Sequence, residues 1–302
     1  MDSVWLLFGQ IAILVSILLL FKLQAIRLPF FEIVVIAMLF LFRPMYTVIL
    51  SGQILAVLLF FATIAMFSFY RERWFMGGLL VSFLSLKPSI GLPILLILGL
   101  WLLARKSWKA ILGVITGCFS LFLAGAIYNP FWVFDYLAAG QHLLTRYVGM
   151  HSTLWGIATL LFQEHFLAFL FAGTSIGFVL VTMIRLFFYN KLKNPFAVMA
   201  VVLARGLLVA PYSWSYDQIL LLVPLFFIIN EISKLHGYWI GFIFLFGVIV
   251  FAASLALMAY SLQHDVWSVL VTIILWGLSI YFAKKQQSPT KISISREKME
   301  FV

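Results

Sequence analysis

Four polar side chains interrupt stretches of sequence that are otherwise apolar enough for a membrane interior: Arg43, Gln53, Lys87 and Arg205. An ionisable group inside such a stretch costs about 3 kcal/mol unless it is partnered, and it usually serves a function. Three of them fall toward the same end of their apolar runs, so we expect Gln53, Lys87 and Arg205 to line one cavity. Cationic and amide donors suit an oxygen-rich anion such as a phosphate.

Lys87 has the most distinctive surroundings. Apolar runs from Phe75 to Leu86 and from Ile94 to Leu103 flank it, and Pro88 follows it directly. Proline cannot donate a helical hydrogen bond and disfavours the helical conformation of the preceding residue, so one helix should end here and another begin. The lysine therefore lies at a hairpin tip, where it either reaches a membrane interface or holds an anion.

Simpler roles are open for the other polar residues. Gln53 follows Ser51-Gly52 and is also suited to capping the start of a helix, while Arg205 is also suited to a buried ion pair with Glu32 or Glu164. Asp217, in the polar turn 210–218, opens an apolar helix. It is either an N-terminal helix carboxylate or a site residue that orients a hydroxyl or stabilises a cationic centre.

Composition defines the class of protein that positions these residues. Of the 302 residues, 65% are hydrophobic and only 10% are charged, far below the roughly 25% of soluble domains. Apolar runs bounded by charge, Pro or Gly predict an all-α, polytopic helical membrane protein with about 10–11 transmembrane helices. The predicted runs are 4–21, 30–49, 52–70, 74–86, 89–104, 109–127, 165–188, 195–210, 214–230, 238–260 and 266–283, with a break in the second run at Arg43-Pro44.

The formal charge of +10 does not indicate nucleic-acid binding, because the Lys and Arg residues cluster in short loops between apolar runs. One set of alternate loops, with the C-terminal tail, holds 16 of the 20 basic residues, which predicts that this set and the C-terminus are cytoplasmic in a multi-pass cell-membrane protein. Lys87, the turn before Asp217 and the long loop after Tyr128 then face the other side. We expect one integral membrane domain over 1–283 and a basic, disordered tail over 284–302.

Several short motifs, in order, resemble glycosyltransferase family 87. They are Ser51-Gly52-Gln53 before an apolar helix, Arg71-Glu72-Arg73, Gly77-Gly78, Leu86-Lys87-Pro88 and the basic stretch 105–109. The later turn Ala210-Pro211-Tyr212-Ser213-Trp214 leads into Asp217 and is similar to that family's Ser-Pro-x-Ser-Trp turn. The resemblance covers roughly 41–230.

The resemblance implies a fold of the GT-C type and transfer of a hexose, often mannose, from a polyprenyl-phosphate donor on the non-cytoplasmic side. On this reading Lys87, with Gln53 or Arg205, binds the donor phosphate. Trp214 and Tyr216, to which we add His151, offer surfaces for the sugar or lipid. The acceptor is a lipid or a cell-envelope glycan. We expect no cofactor, and the residues indicate no metal site, since the sequence has no Asp-x-Asp pair or His cluster.

The catalytic base is the weakest part of the resemblance. The family's superfamily usually carries an Asp in the first outer loop, and here Asp2 is the only acidic residue before Glu32. We therefore expect the N-terminal part of a whole member to be missing, and Asp217 is the best remaining candidate for the base. Two alternatives stay open: a non-catalytic or incomplete enzyme that needs a second chain, and a transporter or flippase for a lipid-linked sugar.

Overall fold

The structure is a computed structural model that describes residues 2–23, 29–146, 150–162, 165–262 and 264–287. These residues form fourteen α-helices and no strand. The helices are α1 (Asp2–Lys22), α2 (Pro29–Leu39), α3 (Arg43–Ser51), α4 (Leu55–Tyr70), α5 (Trp74–Val81), α6 (Pro88–Ala104), α7 (Trp108–Tyr128), α8 (Trp132–Arg146), α9 (Leu154–Leu161), α10 (His165–Ile184), α11 (Pro195–Val209), α12 (Leu222–His236), α13 (Tyr238–Leu262) and α14 (Val269–Gln287). Short 3₁₀ segments at Ser82–Leu86, Ser215–Leu221 and Asp265–Ser268 precede α6, α12 and α14, and a π-helical turn at Arg185–Tyr189 ends α10.

The helix lengths confirm an all-α, multi-pass membrane protein. Six helices of the described chain are long and apolar enough to cross a membrane, and the bent pair α2–α3 makes up to seven. Four further apolar helices are shorter, at 10–17 residues: Leu55–Tyr70, Trp74–Leu86, Pro88–Ala104 and Pro195–Val209. With the bent pair counted as one span, the predicted total of 10–11 crossings requires three or all four of these shorter helices to cross as well.

Proline sets the helix breaks where the sequence predicts them. The bend between α2 and α3 is 68° and falls at Arg43-Pro44. Lys87 has φ −121° and ψ 82°, outside the helical region, and Pro88 is the first residue of α6. Pro224 marks no predicted break: it lies within the predicted run 214–230 and, in the structure, in the first turn of α12, directly after the 3₁₀ segment Ser215–Leu221.

Helices α11 and α12 form the centre of the bundle. Nearly every residue from Phe196 to Leu208 and from Leu222 to Glu231 is buried. A helix that is apolar on all sides lies either against lipid or in a core, and here α6, α13 and α14 pack around this pair. The turn between α11 and α12, which carries Asp217, is therefore anchored on both sides by core helices.

The loops gather at two ends of the bundle. At one end, Trp101 donates to the carbonyl of Leu192 at 2.8 Å, and Asn194 donates to Gln286 at 3.0 Å. At the other end, Trp5 donates to the carbonyl of Gly52 at 2.6 Å, and Lys87 meets Asp217. This is the predicted grouping of loops, whereas the assignment of the basic end to the cytoplasm stays a prediction.

The C-terminal helix is longer than predicted. Helix α14 continues through Lys284 and Lys285 to Gln287, so the first four residues of the predicted disordered tail are helical. Basic residues in the last turn of a helix interact favourably with its C-terminal dipole, which favours this extension. The remainder of the tail, 288–302, lies outside the described residues.

Candidate active site

Lys87 lies at the start of α6, at the end of the bundle opposite the basic loops. The backbone approaches itself closely here: a Cβ at Gly91 would overlap the carbonyl oxygen of Leu84. Gly91 thus permits the first turn of α6 to lie against the 3₁₀ segment before Lys87. The result places a lysine ammonium beside the N-terminus of a helix, which combines two sources of positive potential.

Asp217 is the partner of Lys87. The two side chains form an ion pair across 130 residues of sequence, with the carboxylate fully buried and the lysine side chain 16% exposed. The second carboxylate oxygen, Oδ2, accepts the backbone N–H of Trp214 at 2.8 Å. Asp217 therefore holds the turn in place with one oxygen and neutralises Lys87 with the other.

Aromatic rings cover this ion pair on one side. The ammonium of Lys87 lies 4.7 Å from the ring centroid of Tyr216, within cation–π range. The rings of Trp214 and Tyr216 are nearly parallel, with an interplanar angle of 14° and centroids 6.4 Å apart. His151 packs against Trp214 edge to face at 5.6 Å. Four of the predicted site residues, with Asp217, are therefore in one contiguous cluster.

A short loop before α9 brings His151 to the cluster. Thr153 caps α9 by accepting the N–H of Gly156 at 3.2 Å, and a Cβ at Gly156 would overlap the carbonyl oxygen of His151. The backbone of Ser152 donates to the carbonyl of Ser213 at 2.9 Å. These contacts attach the loop to the turn before α12 and bury His151.

A second ion pair lies at the same end of the bundle. Arg43 Nη1 donates to Asp265 Oδ1 at 2.7 Å, joining the bend between α2 and α3 to the start of the segment before α14. Ser152 and Ser268 share a hydrogen bond of 2.6 Å, and Gln218 donates to the carbonyl of Ser268 at 2.7 Å. These contacts join the segment before α14 to the cluster around Asp217.

Helix α8 closes over the turn through two tyrosines. The hydroxyls of Tyr136 and Tyr212 are 3.1 Å apart. Burial and the neighbouring Tyr212 raise the pKa of the Tyr136 phenol above its ordinary value, so it stays protonated and can donate. Sequence reasoning did not select Tyr136, Tyr212, Arg43 with Asp265, or Gly91 as site residues. Two features of the sequence could have indicated them: Tyr136 lies within the amphipathic segment 131–148, and Arg43 stands directly before a proline.

Gln53 and Arg205 do not join the ion pair. Gln53 lies between α3 and α4, where the N-cap of α4 is Ile54, and no hydrogen bond in the described part of the chain links Gln53 to Lys87. The guanidinium of Arg205 instead contacts Thr182 of α10 and Trp276 of α14. It forms no ion pair with Glu32, and Glu164 lies outside the described residues. A helix side chain points back toward its own N-terminus, which directs Arg205 away from the turn.

The chemical groups of this cluster suit the binding of an anion. In the described part of the chain, no group of three His, Cys, Asp or Glu side chains lies close enough together to hold a metal ion. The positive groups are an ammonium and a helix N-terminus, and the neighbouring surfaces are aromatic. Such a site can bind a phosphate and place a ring-shaped polar group against Trp214 or Tyr216.

The described residues therefore form an all-α membrane bundle with a buried ion pair and aromatic rings clustered at one end. The model of glycosyltransferase family 87 matches residues 3–211, which is 209 of the 302 residues. The chain belongs to this family and is a membrane glycosyltransferase. The match includes Lys87 and ends within the turn, at Pro211, before Asp217. Comparisons with curated proteins and with solved structures found no match.

Proposed function

We propose that this glycosyltransferase transfers a hexose, mannose in the first instance, from a polyprenyl-phosphate donor to a lipid or cell-envelope acceptor on the non-cytoplasmic side. The observation that carries the proposal is the Lys87–Asp217 pair at the N-terminus of α6, beside stacked aromatic rings. Family membership supports transfer of a sugar, and the ammonium at a helix start suits a phosphate leaving group.

In the proposed reaction, the donor phosphate takes the place of Asp217 as the partner of Lys87. The carboxylate Oδ1 that Lys87 releases then accepts the proton of the acceptor hydroxyl. The acceptor oxygen attacks the anomeric carbon, the bond from that carbon to the phosphate oxygen breaks, and the departing polyprenyl phosphate keeps the electron pair. Lys87 stabilises the charge that develops on the leaving group.

The aromatic residues have a separate role in this proposal. Trp214 and Tyr216 present a pair of nearly parallel rings, and apolar ring faces pack against the C–H faces of a sugar or against a prenyl chain. His151 packs on the edge of this pair and orients Trp214. We propose no binding role for Arg205 at this phosphate, because its guanidinium contacts Thr182 and Trp276 instead. We assign none to Gln53, since no hydrogen bond among the described residues links it to Lys87.

The test is transfer of radiolabelled hexose from polyprenyl-phosphate-mannose and polyprenyl-phosphate-glucose, in membranes that contain the full chain. We expect Lys87→Ala to lose donor binding and transfer together, and Asp217→Asn to retain donor binding but lose transfer by at least about 100-fold, the usual contribution of a general base. Lys109→Ala is the control, since Lys109 is an exposed lysine at the opposite end of the bundle.

Two outcomes would count against the proposal in different ways. Full transfer by Asp217→Asn would show that another group is the base. Donor binding without any transfer by the unaltered chain would favour the two alternatives: an incomplete enzyme that needs a second chain, or a transporter of a lipid-linked sugar.

A further inference from the structure

A cavity of about 260 Å³ lies between α10 and α14, at the end of the bundle opposite Lys87. Its lining includes Thr182, Arg185, Asn190, Trp276, Ile280 and Lys284. Arg185 and Lys284 are exposed and mark its mouth. The lining carries two cations, a hydroxyl and an amide, and no carboxylate.

Arg205 lies immediately behind this cavity. Its Nη2 donates to Thr182 Oγ1 at 2.6 Å, and its Cζ is 4.0 Å from the ring centroid of Trp276. Both residues line the cavity. The side chain is fully buried, yet Nε and Nη1 have no hydrogen-bond partner. Two unpaired donors of a buried guanidinium are costly, so an arginine retained at this depth needs a further source of stabilisation.

Protein carboxylates do not supply that stabilisation. The ion pairs within the described residues are Arg43–Asp265, Lys87–Asp217 and Lys234–Glu231, and none of them includes Arg185, Arg205 or Lys284. Within the described residues, Arg185 and Lys284 at the mouth and Arg205 behind the inner wall thus have no carboxylate partner. Arg205 is buried where the dielectric is low, so its charge favours an anion in the adjoining cavity.

The surroundings indicate that the anion is attached to an apolar chain. A second cavity of about 370 Å³ adjoins the first at Trp276 and runs along the same two helices. Phe178, Val179, Leu208 and Ile273 contribute to its largely apolar wall. The guanidinium of Arg205 contacts Thr182, which is seven residues before Tyr189 at the basic end of the bundle. By helix rise, this contact lies about 10 Å inside that end. This is a depth that a lipid headgroup in a groove between helices reaches.

We propose that the gap between α10 and α14 is a binding site for an anionic phospholipid. The phosphate lies in the cavity between Arg185 and Lys284, with Arg205 supplying charge from its inner wall, and one acyl chain follows the apolar cavity beyond Trp276. Basic pockets between transmembrane helices bind anionic headgroups in this way. This site is separate from the proposed active site and does not depend on the reaction proposed there.

The experiment measures lipid binding by the purified full chain in detergent that has been depleted of lipid. Phosphatidylglycerol, phosphatidylcholine and inorganic phosphate are each titrated against thermal stability, and retained lipids are counted by native mass spectrometry. We expect phosphatidylglycerol alone to raise Tm. The double variant Arg185→Gln/Lys284→Gln should weaken its apparent affinity by at least about tenfold, since each interfacial cation contributes substantially to anionic-lipid binding.

The matched control is Lys106→Gln/Lys109→Gln, which removes two exposed lysines from the same end of the bundle but outside the cavity. It should bind phosphatidylglycerol like the unaltered chain. Arg205→Met, which is of similar length, should bind weakly even where its Tm in lipid-free detergent equals or exceeds that of the unaltered chain. Equal stabilisation by phosphatidylcholine would overturn the proposal, and so would equal losses in the two double variants. Stabilisation by inorganic phosphate as large as that by phosphatidylglycerol would show a soluble-anion site instead of a lipid site.

Discussion

At the residue scale, the Lys87–Asp217 pair is an arrangement that stability alone does not favour. Burying two charges costs several kcal/mol per ion, and apolar residues of similar size are often equally stabilising. The pair also lies beside aromatic rings and a helix N-terminus, where a ligand can exchange with the carboxylate. These surroundings support the proposed role of the pair in binding a substrate.

The two partners should differ in their contributions to stability. Lys87→Met leaves a fully buried carboxylate without its cation and should cost about 3–5 kcal/mol of unfolding free energy. Asp217→Asn should cost less, because the partly exposed ammonium of Lys87 keeps access to water and the amide oxygen still accepts from Trp214. Thermal unfolding in detergent measures both.

The double variant Lys87→Met/Asp217→Asn completes the cycle with these two single variants. Removing both charges should recover most of the stability lost in Lys87→Met while transfer remains absent. Additive losses in the double variant would show that the two charges do not interact, contrary to the observed contact.

At the element scale, the close contact between α6 and the segment before it positions Lys87. Gly91→Ala should cost about 1–3 kcal/mol and reduce transfer, because the added methyl group meets the carbonyl of Leu84 and moves the first turn of α6. Gly99, in the same helix, has open space around it. Gly99→Ala should be neutral or stabilise by up to about 1 kcal/mol. Similar effects of the two substitutions on Tm would contradict this explanation.

Helix α8 is held to the turn before α12 by the Tyr136–Tyr212 hydrogen bond. Tyr136→Phe should cost about 1 kcal/mol and speed amide exchange in α8, since it removes one buried hydrogen bond and little apolar area. Hydrogen–deuterium exchange measures the effect. Tyr128→Phe is the control, because Tyr128 is 95% exposed and its change should leave α8 unaffected.

At the scale of the whole molecule, the charge bias predicts that the end with Lys87 faces away from the cytoplasm. Helix α7 provides a test, because Lys109 and Phe131 lie near its opposite ends and both are exposed. In a Cys118→Ser background, which removes the single native cysteine, a membrane-impermeant maleimide should label Phe131→Cys in intact cells. It should label Lys109→Cys only after lysis. The reverse pattern would place the proposed active site in the cytoplasm.

Much of the fold follows from local sequence. Continuous apolar runs require hydrogen-bonded helices in a membrane, and prolines at 44 and 88 mark breaks that the structure contains. The grouping of loops at two ends follows from alternation of the runs. The break at Lys87, the polar turn before Asp217 and the extent of α8 and α9 could therefore be predicted within a few residues.

What only the tertiary structure decided is which polar groups meet. The sequence predicted that Lys87, Gln53 and Arg205 lie toward one end of their runs, but helix rotation determines the neighbours of each side chain. That rotation follows from the packing of whole helices and turned Arg205 toward Thr182 and Trp276. Pairing across 130 residues, as between Lys87 and Asp217, likewise depends on how α6 and α12 pack against α11. The sequence by itself determined the class of protein and the helix breaks before Pro44 and Pro88, because both depend on local sequence, whereas the contacts of the site depend on long-range packing.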